Sequence, residues 1–447
     1  MDANIKVECY HSKDQFLENL RTFDVCSNPF ESYAFCSVFL KYHPTGNFYF
    51  FDIFENDKKI AIIPMECTVD SNLMNTKYFR FIGYREFNYE QYICRNEDVE
   101  KVHKYFIDYL AKQSYRSVVN FYDINDGTKL YTLLKDSPLK KKSLKLYLCP
   151  CLHFTDTFDE FFTTVYPSSK KRTELKKFQK KLADIGEFRI LNIDDKESHD
   201  ANKMYLDQIY RVHAERFAKV YATSFFGSPK MRPYYSELIE SLMKDKKGHI
   251  SLLLMDEVVI AFIFCLTNGE TLIDWIPAFD PAYSKFSLGI VQYKMLFEEM
   301  CSPDVPYKIF DYSKGSSVYK RKWAKEETAN FQFVMSTSKS NFFSWLLFII
   351  EKNKFVLKCF LREKGILNWI KETLGKMLSM AKKEESSGTK AVINYVENEA
   401  CTEKLKYSSI VGYPVEARRA ILDANYQGWK LSSIEEKGKD LVIVMKK

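Results

Sequence analysis

One short stretch of the sequence, FDYSKGSSVYKRKWA over residues 310–324, holds several side chains that could do chemistry. Asp311 lies in an apolar, strand-like run, Gly315 allows a sharp turn, and Lys320 stands in a packed run of basic and aromatic residues. A carboxylate among apolar residues has its pKa raised toward that of a general base, and a fixed cation stabilises negative charge. The stretch is therefore a candidate site, and the interpretation of Lys320 as a surface lysine in a basic turn has equal weight from these residues alone.

A second candidate site lies where the strand-like TLIDWIPAF ends and a helix-like segment begins at Ser287-Leu288-Gly289. The first N–H groups of a helix and the positive end of its dipole would point into the preceding loop, an arrangement that binds phosphate. Gly289 would permit close approach of a ligand, and Lys285 could add a charge. The alternative is an ordinary helix N-terminus, which is the commoner case.

A basic segment, SSKKRTELKKFQKKLADIG, places lysines around a helix whose apolar side carries Leu175, Phe178 and Leu182. A charged helix face is usually only solvated. The density of positive charge, which includes Lys171 and Arg172, nevertheless permits contact with phosphate from a cofactor, a lipid carrier or an RNA. This segment is therefore a candidate for substrate binding.

The helices and strands that the sequence predicts around these residues indicate an α+β fold. Residues 249–279 read as three strands joined by tight turns at Asp256-Glu257 and Asn268-Gly269, followed by a helix and another strand. We expect an N-terminal domain over 1–148, a second domain over 149–337, a helical region over 338–383 and a small α/β cap over 391–447. The cap's helix is predicted to start near Pro414, and the apolar helical region is expected to pack on the second domain.

Composition excludes several classes of protein. The 447 residues are 46% hydrophobic and 28% charged with a formal net charge of +7, which is typical of a globular protein and compatible with an anionic partner. The N-terminal segment lacks the apolar core of a signal peptide, and the longest apolar run, 342–350, is too short to span a bilayer. We expect a cytoplasmic protein, and peripheral contact with the inner face of the membrane stays open.

The cysteines predict neither disulfides nor a metal site. Eleven cysteines are scattered along the chain, which favours reduced and mostly buried thiols. Cys149, Cys151 and His153 alternate on a strand, but Pro150 separates the cysteines and no second ligand pair with zinc spacing follows. Strand packing is therefore favoured over a metal cluster.

The order of these elements resembles the GNAT acyltransferase superfamily, in particular its two-domain bacterial branch of polysaccharide-associated acetyltransferases and FemAB-type transferases. The resemblance rests on the three-stranded meander, the S-x-G helix start, the strand FDYS and the closing G-x-x-x-Y-K-x-x-W. Upstream it extends to CPCLHFTDTFDEFFTTVYPSSKKRTELKKFQKKLADIGEF and FRFIGYREFNYEQYI. It covers roughly residues 5–335 and implies two tandem GNAT-like domains with mixed, largely antiparallel sheets flanked by helices.

The resemblance implies an acyl-CoA-dependent acyltransferase, with acetyl-CoA as donor, no metal, and a sugar or cell-envelope precursor as acceptor. Lys320 would lie near the donor or the oxyanion, with Tyr319 packed behind it. A base would take a proton from the acceptor as it attacks the thioester, and Asp311 and Asp274 are the candidates. Asp274 could equally only satisfy a backbone or arginine partner. Arg216 resembles a cation that holds a phosphate or carboxylate.

Two departures from the family pattern keep other functions open. Only Ser287-Leu288-Gly289 remains of the usual pyrophosphate loop, and Asn88-Tyr89 stands where the branch places Asp before Tyr in its acceptor pocket. One alternative is a FemAB-type peptidoglycan transferase that uses aminoacyl-tRNA, which the basic helix favours. Another is a non-catalytic scaffold that presents its helical C-terminal region to partners. Nucleic acid is expected as a partner only if aminoacyl-tRNA is the donor.

Overall fold

The chain forms two compact units that alternate along the sequence. The structure, a computed structural model, describes residues 4–23, 25, 28–71, 76–84, 86–218, 225–315, 318–337, 390–396, 405–437 and 440–446, with isolated residues between 345 and 361. The first unit comprises Met1–Leu152 and Phe310–Leu361, and the second comprises His153–Ile309 and Arg362–Lys447. The last strand of the predicted second domain therefore lies in the first unit.

The described residues form the following elements. The helices are α1 (Lys13–Thr22), α2 (Tyr33–Tyr42), α3 (Val99–Lys112), α4 (Lys129–Asp136), α5 (Phe158–Val165), α6 (Ser169–Ala183), α7 (Lys196–Ala201), α8 (Leu206–Phe217), α9 (Arg232–Lys244), α10 (Leu288–Met300), α11 (Val318–Trp323) and α12 (Val415–Tyr426). The strands are β1 (Ile5–Tyr10), β2 (Phe48–Glu55), β3 (Lys58–Ser71), β4 (Thr76–Phe81), β5 (Ile93–Cys94), β6 (Arg116–Asn125), β7 (Lys141–His153), β8 (Phe188–Ile193), β9 (Gly248–Met255), β10 (Val258–Asn268), β11 (Thr271–Phe279), β12 (Ile309–Asp311), β13 (Glu326–Ser336), β14 (Lys390–Val396), β15 (Lys430–Lys437) and β16 (Asp440–Lys446).

The first unit is built on a mixed sheet in the order β1-β2-β3-β4-β6-β13-β7-β12, with β5 paired to β3. The β4–β6 pair is parallel, whereas β13 runs antiparallel to both β6 and β7. Phe51, Phe106, Phe121 and Phe333 belong to one buried cluster between the sheet and α3. Strand β13 therefore completes both the hydrogen bonding and the core of this unit.

The second unit contains the predicted meander, in which β8, β9, β10 and β11 pair antiparallel in sequence order. Asp256 and Glu257 both adopt positive φ, 49° and 62°, as a two-residue hairpin turn of the primed type requires, and Gly269 has φ 56° in the next turn. The register shifts where Phe264 faces Ile276 and Cys265 faces Asp274. Trp275 is therefore the extra residue of a β-bulge beside Asp274.

The C-terminal residues form a three-stranded sheet with one helix, which we call the C-terminal module (described residues 390–396, 405–437 and 440–446). β14 pairs parallel with β16, and β15 pairs antiparallel with it. Pro414 is the N-cap residue of α12, as the sequence predicts. These sheets and helices confirm the predicted α+β fold class.

The predicted helical region over 338–383 lies largely outside the described residues. Those that are described between 345 and 361 are helical. Among them, Ile349 packs against Tyr78, Val118 and Val334 of the first unit, rather than on the second domain as the sequence suggested. None of the described helices combines the length and the apolar character that crossing a membrane requires.

Candidate active site

The first unit brings Asp311, Tyr89 and Cys149 together. Asp311 ends β12, and the chain that follows it bonds to β7, since the Tyr312 N–H donates to the Pro150 carbonyl at 2.9 Å. The Tyr89 hydroxyl lies close enough to Asp311 and Cys149 to feel their charge, but it makes no hydrogen bond to a described residue. Burial raises the pKa of Tyr89 well above its ordinary value, and the two neighbouring groups raise it further. A phenol beside a carboxylate is an arrangement that can move a proton.

The environment decides which of these groups can act as a base. Burial raises the pKa of Asp311, while the Tyr89 hydroxyl and the Lys320 charge oppose that rise. Burial also raises the pKa of the Cys149 thiol. A thiol with a raised pKa is a poor nucleophile because the thiolate is the reactive form. The arrangement therefore favours proton transfer at Asp311 over covalent chemistry at Cys149.

Lys320 lies on the short helix α11, which the sequence did not predict. Its ammonium donates to the carbonyl oxygens of Tyr312, at 2.5 Å, and Lys314, at 3.2 Å. Two of the three ammonium donors thus hold the turn that follows Asp311. The side chain of Tyr319 lies outside the described residues.

Several residues near Asp311 have left-handed backbone conformations. Tyr89, Asp123 and Ser313 adopt left-handed conformations with φ of 59°, 63° and 56°, and Gly315 has φ 94°. The Asn88 amide donates to the Ser313 hydroxyl at 2.7 Å. Non-glycine residues rarely adopt such backbone, and strained residues of this kind cluster at functional sites. The strain supports the prediction that this turn has a functional role.

Two buried carboxyls in the first unit were missed by the sequence analysis. Glu31 accepts a hydrogen bond from the Gln91 N–H at 3.0 Å and Glu90 from the Tyr122 N–H at 3.2 Å. The second oxygen of each carboxyl has no hydrogen-bond partner among the described residues. Both residues line a cavity of about 10 Å³, room for one water molecule. Burial raises the pKa of both well above the ordinary value, so each carboxyl takes up its proton at a higher pH than an exposed glutamate does.

An ion pair connects this region to the turn after Asp311. The Lys314 ammonium lies 2.7 Å from the Asp123 carboxylate and donates to the Phe87 carbonyl at 3.0 Å. Asp123 also accepts from the Asn330 amide at 2.7 Å and is fully buried. The turn is thus tied to the core of the first unit by a charged pair.

The second unit holds the other predicted base. Asp274 lies beside the bulge on β11 and is buried, and the Tyr293 hydroxyl of α10 donates to its carboxylate at 2.7 Å. Bulges are common beside active sites because they redirect side chains. A buried carboxylate that accepts a hydrogen bond from a tyrosine is compatible with both roles considered for Asp274, that of a general base and that of a group that only satisfies a hydrogen-bond partner.

The strand-to-helix junction brings Arg216 and Gly289 to the same aromatic ring. The Arg216 guanidinium carbon lies 4.3 Å from the centre of the Phe279 ring. A Cβ atom added to Gly289 would lie 3.9 Å from that ring, an ordinary contact. The predicted cation and the predicted glycine of the phosphate site are therefore neighbours.

The junction itself is a short 3-10 helix, Pro281–Phe286, where the sequence predicted an irregular loop. Ser287 has φ 53° and is the N-cap of α10, although its side chain makes no capping hydrogen bond. Leu288 is buried. The Lys285 ammonium lies 2.6 Å from the Asp423 carboxylate of the C-terminal module.

The cations of the basic helix α6 are of two kinds. Arg172 donates to the carbonyl oxygens of Tyr166 and Pro167, at 2.6 and 2.8 Å, and so supports the end of α5. Lys171 is exposed, as are Lys176, Lys177 and Lys180. Only the lysines are placed to meet a large anion. Across the described part of the chain, no group of three or more His, Cys, Asp or Glu side chains is placed to hold a metal ion.

Comparison with known proteins supports a family for part of the chain. Residues 169–321 match the family described as an acetyltransferase (GNAT) domain. A search of curated proteins finds no significant match.

Solved structures resemble the chain only distantly. The C-terminal domain of a putative lysylphosphatidylglycerol synthetase from Agrobacterium fabrum is 11% identical, with a TM-score of 0.48 over 76% of this chain and 96% of that one. FemX is 8% identical, with a TM-score of 0.47 over 73% and 96%. A tandem GNAT protein from the clavulanic acid biosynthesis pathway is 8% identical, with a TM-score of 0.37 over 76% and 100%. These similarities carry no information about ligands.

Proposed function

We propose that this chain, which carries a GNAT acetyltransferase domain over residues 169–321, transfers an acyl group from acyl-CoA, with acetyl-CoA as the first candidate, to a sugar or cell-envelope precursor. The observation that carries the proposal is that Asp311, a candidate base, and Lys320, a candidate cation, are held in one turn with left-handed backbone. Such a base supplies the proton transfer that direct attack of an amine or hydroxyl on a thioester needs.

In the proposed reaction Asp311 accepts the proton of the attacking amine or hydroxyl. The raised pKa of Asp311 makes it a stronger base than an exposed aspartate. The acceptor forms its bond to the acyl carbon, the carbon–sulfur bond breaks, and the thiolate of CoA leaves and takes up a proton. Lys320 keeps one N–H donor beyond its two carbonyl contacts, and this donor would stabilise the oxyanion.

Asp274 is the competing base. Its carboxylate already accepts from the Tyr293 hydroxyl, whereas Asp311 interacts with a tyrosine and a lysine together. We therefore assign the base to Asp311 and a supporting role to Asp274. Tyr89 is assigned to acceptor binding in the first unit. Separately, Arg216 and Lys171 of the second unit are assigned to anionic groups of the substrates, whereas Arg172, which holds backbone carbonyls, is assigned a structural role.

The donor is assigned to the junction before α10. The N–H groups that begin this helix, the left-handed Ser287 and the glycine at 289 support phosphate binding there. Lys285 contributes less than its sequence position suggested, because Asp423 already pairs with it.

Thermal unfolding in the presence of acetyl-CoA, longer acyl-CoAs and free CoA tests the donor. A ligand at 100 times its Kd stabilises the folded state by about 2.7 kcal/mol. Gly289→Asp should abolish this shift by blocking the backbone and adding negative charge, and it should fold because a Cβ there meets only Phe279 at 3.9 Å. Gly412→Asp is the matched control, since a Cβ there meets nothing within 4 Å. A shift that survives Gly289→Asp would remove the donor from this junction, and no shift with any CoA species would remove acyl-CoA.

Aminoacyl-tRNA is the second candidate donor, and the exposed lysines of α6 favour it. Contacts with phosphates release counterions, so tRNA affinity should fall steeply with salt. Lys176→Glu with Lys177→Glu should weaken such binding, while Arg172, which is tied to backbone carbonyls, should matter less. Absence of tRNA binding at low salt would exclude this donor, and a protein that binds neither CoA nor tRNA would favour the scaffold.

A further inference from the structure

We propose that the C-terminal module is part of the donor site, because its side chains fix the conformation of residues 280–289, here called the donor loop. The module lies outside the matched domain of residues 169–321. The name of the loop rests on the function proposed above, whereas the contacts that hold it do not. The positioning residues are Arg418 and Tyr407, with Asp423 in support.

The centre of the contact is Asp280, the first residue of the donor loop. Asp280 and Arg418 are both fully buried, and a guanidinium nitrogen of Arg418 lies 2.6 Å from the Asp280 carboxylate. The Tyr407 hydroxyl donates to the same carboxylate oxygen. The other oxygen accepts from the Ala282 N–H at 2.8 Å. Asp280 therefore joins the module to the first turn of the loop.

Arg418 also links the loop to α8. Its second guanidinium nitrogen lies 2.6 Å from Glu215, which pairs at 3.0 Å with Arg211. Arg211 in turn lies 3.4 Å from Asp280 and donates to the Val259 carbonyl. Asp280 and Glu215 thus each pair with both guanidinium groups, those of Arg211 and Arg418. Removal of Arg418 alone would leave both carboxylates short of a partner.

Further contacts from α12 run along the loop. The Arg419 guanidinium donates to the Pro281 carbonyl at 2.9 Å, and Asp423 pairs with Lys285 at 2.6 Å. The rings of Tyr426 and Phe286 meet edge to face, with centroids 5.7 Å apart. The helix thus contacts the loop from its beginning to its end.

An apolar core lies beneath these polar contacts. It includes Tyr283, Phe286 and Leu288 from the loop and the start of α10, and Ile410 and Ile421 from the module, all buried in one cluster. A non-glycine residue in a left-handed conformation persists only where its surroundings determine it. Ser287 has φ 53° without a side-chain cap, so its conformation depends on this packing. The N–H groups assigned to the donor are therefore aimed by the docked module.

Hydrogen–deuterium exchange of the full chain tests the inference without any ligand. Peptides that cover residues 280–291 should exchange at least tenfold faster in Arg418→Met than in the wild type, and several-fold faster in Tyr407→Phe. Glu436→Gln, an exposed change on β15 of the same module, is the control and should exchange like the wild type. If Arg418→Met fails to fold, the exchange of the same peptides is measured in Tyr407→Phe and Asp423→Asn instead. Unchanged exchange in the folded variants would overturn the inference.

Kinetics separate positioning from a purely structural role. In Tyr407→Phe the KM for the donor should rise several-fold with little change in kcat, because the loop binds donor and does no chemistry. A fall in kcat alone, or tighter donor binding when the contacts are loosened, would overturn the inference. Tighter binding would make the module an inhibitor.

The two proposals can fail separately. If Arg418→Met loosens the loop while acyl-CoA never protects residues 280–291 in the wild type, the inference about the module's hold on the loop stands and the proposed donor falls. If acyl-CoA protects the loop equally in the wild type and in the variants, the proposed donor stands and the inference about the module falls.

Discussion

The half-buried Asp311 of the first unit and the fully buried Asp280 of the second differ in how far their surroundings satisfy them. Asp280 is met by a guanidinium, a tyrosine hydroxyl and a backbone N–H. Asp311 has a tyrosine, a nearby lysine and one backbone N–H, and its pKa is raised. The same unit holds carboxyl oxygens of Glu31 and Glu90 that have no partner among the described residues.

This difference distinguishes a residue suited to proton transfer from a residue that holds the structure. A buried polar group without a full set of partners costs free energy, and a protein tolerates that cost where function requires it. A fully paired charge cluster instead fixes one conformation. This comparison agrees with the proposals that proton transfer takes place at Asp311 and that Asp280 holds a loop in shape.

The largest expected effect is on activity in Asp311→Asn. Loss of a general base typically costs about 10²–10⁴-fold in rate. Because burial raises the pKa of Asp311, the activity of the wild type should fall with decreasing pH at a higher pH than an ordinary aspartate would give. The variant should lose that limb of the pH profile of kcat/KM. Asp274→Asn is the matched comparison, and a larger loss there than at Asp311 would reverse the assignment of the base.

Asp280→Ala should mainly lower the free energy of unfolding, whereas Asp311→Asn should mainly lower activity. Removing Asp280 leaves Arg418 and Arg211 to share Glu215, and breaking one side of a buried ion pair costs up to about 3–5 kcal/mol. Urea unfolding measures this. Asp423→Asn removes a pair whose lysine is largely exposed and should cost less than about 1 kcal/mol. Equal losses in the two variants would mean that Asp280 is no more important than a surface pair.

His249 offers a test of whether missing partners alone mark a site. It is buried, neither ring nitrogen has a partner among the described residues, and its ring meets Tyr307 edge to face. Burial lowers its pKa from 6.5 to about 4. The folded state thus binds this proton less well than the unfolded state, so stability is present above pH 6.5 and is lost as pH falls toward 4.

The loss amounts to about 3 kcal/mol by pH 4. Denaturant titrations between pH 7 and 4 should show a smaller loss in His249→Phe than in the wild type, while activity at pH 7 stays within twofold. A His249 variant that folds but is inactive would show that an unpartnered group of the second unit also takes part in the reaction.

Local patterns predicted most of the fold. Strand-like runs and turn pairs predicted the meander from β9 to β11, and the segment after it predicted the helix α10. The proline at 414 marked the start of α12. These features depend on neighbouring residues, whose preferences the sequence displays directly.

The contacts that define the sites were not predictable in the same way. Tyr89 meets Asp311, and Asp280 meets Arg418, only after distant segments fold together. Glu31 and Glu90 look like ordinary charged residues in their local context, and only burial distinguishes them. α11 was missed because its run of basic and aromatic residues lacks an amphipathic period.

The position of β13 has a consequence for the order of events during synthesis. This strand lies between β6 and β7, yet the whole segment 153–309 of the second unit is translated before it. A nascent chain that ends before residue 326 leaves the facing edges of β6 and β7 without their partner and the core without Phe333. The first unit, although it begins the sequence, therefore cannot complete its sheet until residues 326–336 have been synthesised.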